Sequence, residues 1–309
     1  MSDAQVRIVT DGGVSLSPET IRALQIAVVP CLCKVGKQTF ESNAETPLPV
    51  ICQRAGAKGF ETEPPVLGRF LDAYRSLGDA PAISIHPAHS LSKVGHVARL
   101  ARAMVTPRRN VKLFEARTID LGVSFLVEVA AQAAQEGMEQ EQVMLLLRRL
   151  EDEKLSTLIV TDDISGMEQR LRRDGSAARL KGLLPMMQHL VMVDKTQGDL
   201  VLRAQGVGLA HALAKRQDVF AGIAPPTAVW VRQHGFDGLM PTVQTQLTAL
   251  LQVQAWRAEA GAAGCPHLRG RYIEIIILPT PETVLQIKNF VRRMWRAFGP
   301  ASANMPLKQ

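Results

Sequence analysis

The chain has 309 residues, 46% hydrophobic, 21% charged and 5% aromatic, with a net charge of +7. That length suits two domains, the composition is that of a soluble globular protein, and no run nears the ~20 apolar residues of a membrane span. The modest charge admits an acidic partner, but so few aromatics argue against a base-stacking surface, and nucleic acid is not expected. The opening residues, MSDAQVRIVTDGG, hold no apolar stretch of signal-peptide type, so a cytoplasmic location is expected. Cys31, Cys33, Cys52 and Cys265 lack the paired spacing of a metal site and read as reduced, mostly buried thiols.

In chain order, Val6–Thr10 is a β-branched strand closed by the turn Asp11-Gly12-Gly13. Ser17-Pro18-Glu19 opens a helix, with Pro18 at its first position. Ala27–Val35 reads as one strand and Gly36-Lys37 as a turn. Pro47–Ala55 is expected to be helical, Lys58–Pro65 an irregular loop and Val66–Leu77 an amphipathic helix. Strand, helix and strand at these lengths predict an α/β layer with parallel strands.

From Ala82 the pattern is strand, tight polar loop, helix. Ala82, Ile83 and Ile85 are extended in character, Pro87 interrupts, and Val94, Val97, Ala98, Ala101 and Met104 recur near the helical period. Ser90 or Ser92 suits the helix cap. Hydroxyls and open N–H groups at a helix start form a ready anion site, the plain alternative being a cap with no further role.

Val111–Phe114 is a strand, Leu121–Gln135 a helix apolar nearly all round, and Gln140–Leu150 a further helix. The charged run Glu151–Lys154 and the strand Leu155–Val160 mark a domain boundary. Beyond it, Met167–Arg179 is a basic helix or loop, and the Arg170–Lys181 run reads as a solvated face or an acidic-partner surface. Leu180–Leu184 and Leu190–Val193 are apolar, and Thr196-Gln197-Gly198-Asp199 is a hairpin turn into Leu200–Arg203. Gly206–Lys215 is expected to be helical, as is Thr242–Ala258, while Pro225-Pro226 and His234-Gly235 punctuate the stretch between them. Tyr272–Leu278 is the strongest strand, and Glu282–Phe298 a helix with Val284, Ile287, Val291 and Met294 on one face.

No Walker A loop, H-E-x-x-H or G-x-S-x-G is present. His86, His89 and His96 lie close in sequence without an accompanying carboxylate, and no metal is expected. What rises above background is a succession of four small patterns. Thr10-Asp11 follows the first strand, and Thr62-Glu63-Pro64-Pro65 precedes a helix with Phe70. Ser90-Leu91-Ser92 precedes a helix with Ala98, and Leu121-Gly122 opens an Ala-rich helix.

In that succession the chain resembles the DegV family, two-domain α/β proteins that bind a long-chain fatty acid. The resemblance covers about the first 155 residues well and the next fifty loosely. It implies an N-terminal Rossmann-like three-layer α/β/α domain with a mostly parallel sheet at 1–153. A C-terminal α/β domain with a mixed sheet follows at 154–309, of which 217–264 match poorly. Ser92 stands at the serine of the family's L-S-G-T and Thr62 at the threonine of its T-S-Q-P-S, hydroxyls that hold the carboxylate in the family. Asp11 and Ser90 lie in the same patterns and join the expected ligand-binding set. Lys93 and Val94 replace the Gly-Thr of L-S-G-T, and Glu115-Ala116 replaces a later Asp-Ser. His86 stands where a small hydroxyl residue is usual, so His86 or Lys93 is expected to serve as a compensating cationic donor.

The resemblance implies no cofactor beyond the bound fatty acid, and a fatty acid kinase as partner. Two family arginines that present the head group to that kinase are replaced by Ser176 and Gln205, which argues against the partnership. The reading is therefore a non-catalytic lipid-binding protein, with the carboxylate on Ser92 and Thr62 and the acyl chain between the domains. Two other classes remain open at this point: a transferase or hydrolase using Ser92 with His86, and a regulatory docking module that has lost the pocket.

Overall fold

The computed structural model describes residues 5–48, 50–51, 61–105, 110–153, 155–164, 167, 171–173, 187–194, 198–207, 227–236, 238, 240–260 and 271–298. The expectations placed on 52–55, on most of Arg170–Lys181, on Leu180–Leu184, on 208–215 and on Pro225-Pro226 lie outside these residues, as do Cys52, Cys265 and Ser176.

The first half runs β1 (Arg7–Asp11), α1 (Pro18–Ala23), β2 (Ala27–Val29), β3 (Cys31–Val35), β4 (Gln38–Ser42), β5 (Glu61–Glu63) and α2 (Leu67–Ser76). It continues through β6 (Ala82–Pro87), α3 (Val94–Val105), β7 (Val111–Ala116), α4 (Asp120–Gln135) and α5 (Gln140–Glu153). Four parallel strands form one sheet in the order β2-β1-β6-β7. Side chains alternate across it: Val9, Ala82 and Val111 pack under α2 and α3, whereas Ile8, Ile83 and Ile85 pack under α4. Three layers result, as expected. Helix α4 is buried at twelve positions, which explains why its apolar residues encircle it.

The expected single strand Ala27–Val35 is two strands in two sheets. Pro30 has no N–H to offer a ladder, so β2 ends beside β1 while β3 turns away to pair with β4 and β5. This small antiparallel sheet, order β4-β3-β5, also takes residues 61–63 out of the irregular loop expected there. It sits against the end of β1, where a Cβ on Gly12 would lie 2.1 Å from the Ser42 carbonyl oxygen. Only glycine allows that approach.

The second half contains β8 (Ser156–Thr161), β9 (Leu171–Arg173), β10 (Met187–Val193), β11 (Leu200–Val207) and β12 (Thr227–His234). It ends with α6 (Met240–Leu250), β13 (Val253–Ala260), β14 (Tyr272–Pro279) and α7 (Pro281–Phe298). Its seven strands form a mixed sheet in the order β13-β12-β14-β8-β10-β11-β9. Where a basic helix or loop was expected, residues 171–173 form an edge strand parallel to β11. Likewise β11 runs on to Val207, through the start of the helix expected at Gly206.

The helix expected over Thr242–Ala258 stops at Leu250. Val243, Leu247 and Leu251 sink into the cluster on one sheet face, and the chain then pairs with β12 as β13. No glycine or proline marks that change; pairing with a buried strand overrides local preference. Helix α7 returns to the first half, placing Ile287 and Val291 in the cluster that holds α4 and α5. Lys288 and Arg292 there reach Glu136 at 2.8 and 3.0 Å. No helix among the described residues is long and apolar enough to cross a membrane.

Candidate functional site

In an open parallel sheet, the loops beyond the carboxyl ends of two strands leave a crevice where the strand order reverses. Here that point lies between β1, which leads through α1 to β2 on one side, and β6, which continues to β7 on the other. Asp11 and His86 mark it. His86 belongs to β6 itself, 1% exposed, and not to the loop after it.

The Tyr74 hydroxyl donates to Ser84 Oγ at 2.9 Å, Ser84 Oγ is hydrogen-bonded to His86 Nε2 at 2.7 Å, and the His86 Nδ1–H donates to Asp11 Oδ2 at 2.7 Å. Asp11 Oδ1 accepts from the Gly13 N–H at 2.9 Å. Both ring nitrogens are thereby committed within the protein, and the serine bonded to His86 is Ser84, not Ser92. Burial pushes the Tyr74 hydroxyl up to about 12. The folded state thus favours neutral Tyr74, and its contribution is present below pH ~10 and lost as pH rises toward 12. Urea titrations across that range should show wild-type stability falling more steeply than that of Tyr74→Phe; parallel slopes would refute the assignment.

Ser92 and Ser90 occupy the loop between β6 and α3. Ser92 Oγ accepts from the Val94 N–H at 3.2 Å, a capping bond at the start of α3, and the side chain is half-buried. Ser90 donates to the Gly198 carbonyl of the second half at 3.3 Å, and Lys93 is exposed. Gly198, with φ +78°, closes the β10–β11 turn so near that a Cβ on it would lie 2.9 Å from Ala88 Cβ. Thr62, half-buried, pairs with Cys33. It therefore shares a face of the small sheet with Cys31 and Ser42, whose side chains reach Asp11 and Gly12. Of the two histidines that follow His86 most closely in sequence, His89 is exposed against Glu115 at 3.2 Å and His96 is exposed on α3.

The facing wall is the second sheet. Leu91 and Ala88 of the serine loop, with Ile119, rest on Ile159, Val191, Leu202 and Tyr272 in one aliphatic cluster that also includes Met167. Beside it runs a buried polar seam that sequence reading did not identify. Arg232 Nη1 lies 3.0 Å from Asp120 Oδ1 and 3.7 Å from Glu274 Oε2, all three residues being nearly inaccessible. Ser15 Oγ donates to Asp120 at 2.5 Å, and the Leu121 N–H donates to Glu274 Oε1 at 3.2 Å. Two carboxylates face one guanidinium, and the start of α4 offsets the excess negative charge. The available signal was a lone charge inside an apolar strand: Glu274 in Tyr272–Leu278 and Arg232 in β12.

A family model for the DegV family, described as uncharacterised, matches residues 5–222. A DegV domain-containing protein of Streptococcus pneumoniae serotype 4 is 26% identical over 191 residues, 60% of this chain and 66% of that relative. The chain thus spans just under two thirds of that relative's length. Among solved structures, a DegV family protein from Thermus thermophilus, described for its fatty acid binding, superposes with a TM-score of 0.71 at 20% identity, covering 89% of this chain and 99% of that one. A fatty acid binding protein from Bacillus subtilis gives 0.68 at 18% identity, covering 89% of this chain and all of that one.

Proposed function

The chain belongs to the DegV family, and we propose that it is a non-catalytic binder of a long-chain fatty acid, held between its two α/β halves. The observation that carries this reading is the placement of the serine loop. The hydroxyl-bearing start of α3 lies directly on the aliphatic face formed by Ile159, Val191 and Leu202. A carboxylate buried without donors is prohibitive, so a head group requires hydroxyl and N–H partners, and Ser92 with Thr62 would supply them. Methylenes buried in the interior contribute about 0.8 kcal/mol each, so those of a 16-carbon acid are together worth roughly 11 kcal/mol before ordering costs. The solved relatives described as fatty acid binding proteins support the same reading.

Organic extraction of the purified full chain, followed by mass spectrometry, should yield a fatty acid near one per molecule. Thr62→Ala with Ser92→Ala should lower that occupancy at least tenfold while leaving the fold intact by circular dichroism. Wild-type protein that carries no lipid and takes up none from a fatty acid solution would overturn the proposal.

A further inference from the structure

Between Asp237 and Arg257 the chain carries no Asp, Glu, Lys or Arg, the longest such interval in a sequence that is 21% charged. The interval is not simply core. It forms α6 and the first half of β13, and much of it faces solvent: Thr242, Thr245, Thr248 and Ala249 on the helix, then Gln252, Gln254 and Ala255. A surface helix ordinarily turns charged side chains to water. Helix α6 turns threonines.

Strand β13 is an edge of the seven-stranded sheet, parallel to β12, with no strand on its other side among the described residues. A bulge at Gln254 marks its start, and Ala255–Ala260 then runs in regular register with Ala228–Gln233. Exposed edges are commonly blunted by lysine or proline, and this run holds neither. Val253 and Trp256 pack against the cluster into which α6 sinks, yet both stay half-buried, so apolar surface remains open along the edge. Arg257 faces the other side of the sheet, over the Trp230 ring at 3.8 Å and 3.8 Å from Glu128, so its charge is compensated within the molecule. With Arg257 and Glu259 together, the run has no net charge.

Open backbone groups on such an edge are satisfied by a further strand, and the charges favour a second copy of this chain as its source. At a net charge of +7, two copies repel in general and approach most easily through an uncharged surface. Charge depletion around a partly open tryptophan is also the composition of an interface core. We propose that β13 is a dimerisation edge. Two copies pair their β13 strands antiparallel about a two-fold axis, joining their seven-stranded sheets, with the uncharged end of α6 at the border of the contact.

Analytical ultracentrifugation of the full chain tests this. Wild type should sediment as a dimer that dissociates on dilution. Ala258 is exposed on the strand, and near a two-fold axis a charge placed there opposes its own copy. Ala258→Lys and Ala258→Glu should each weaken the dimer by about tenfold or more, with circular dichroism unchanged, and an equal mixture of the two should recover it. A wild-type monomer at every concentration would overturn the proposal and leave the edge to a strand of another protein. A dimer that survives both substitutions, or variants that stay monomeric when mixed, would overturn it as well.

Discussion

Arg232→Met should destabilise the fold by about 3–5 kcal/mol, because it strands two buried carboxylates rather than removing a favourable pair. Asp120 and Glu274 would each remain in a site closed to water at the start of α4, without the guanidinium that faces them both. Urea unfolding followed by circular dichroism should show the midpoint falling accordingly. Adding Asp120→Asn and Glu274→Gln to Arg232→Met should recover more than half the loss, since the uncompensated charges disappear with the guanidinium. A single variant within 1 kcal/mol of wild type would show that these groups are neutral or hydrated in the native state.

His86→Leu is expected to cost about 3 kcal/mol by leaving the Asp11 carboxylate and the Ser84 hydroxyl without their partner in a buried setting. The same substitution separates two roles for this residue. A ligand donor would take the lipid with it when removed. A group whose nitrogens are spent on Ser84 and Asp11 should lower stability while lipid per folded molecule stays near the wild-type ratio. Lipid lost in proportion to the substitution, at unchanged stability, would restore His86 to the ligand-contacting set.

Periodicity and turn chemistry carry the first half of this fold a long way. The β-branched run at Val6–Thr10, the all-round apolar α4 and the cap at Ser17 each follow from local rules, and the parallel layer follows from their spacing. Pro30 carries a signal that the reading of Ala27–Val35 as one strand passed over, being a residue unable to continue an interior strand. The passage from α6 to β13 was not, because a Gln- and Leu-rich stretch has no breaker and its fate is decided by β12. The candidate site divides in the same way. Ser92 is readable as a hydroxyl at a helix start, whereas Asp120, Arg232 and Glu274 come together from three distant elements and only folding pairs them.

The return of α7 bears on how the molecule is made. Ile287 and Val291 complete a cluster whose members on α4 and α5 leave the ribosome well over a hundred residues earlier. During synthesis, the first half therefore waits with an uncovered aliphatic flank. Nascent chains stalled before α7 are expected to be held by chaperones or cleared by proteases, whereas chains extended through it escape both.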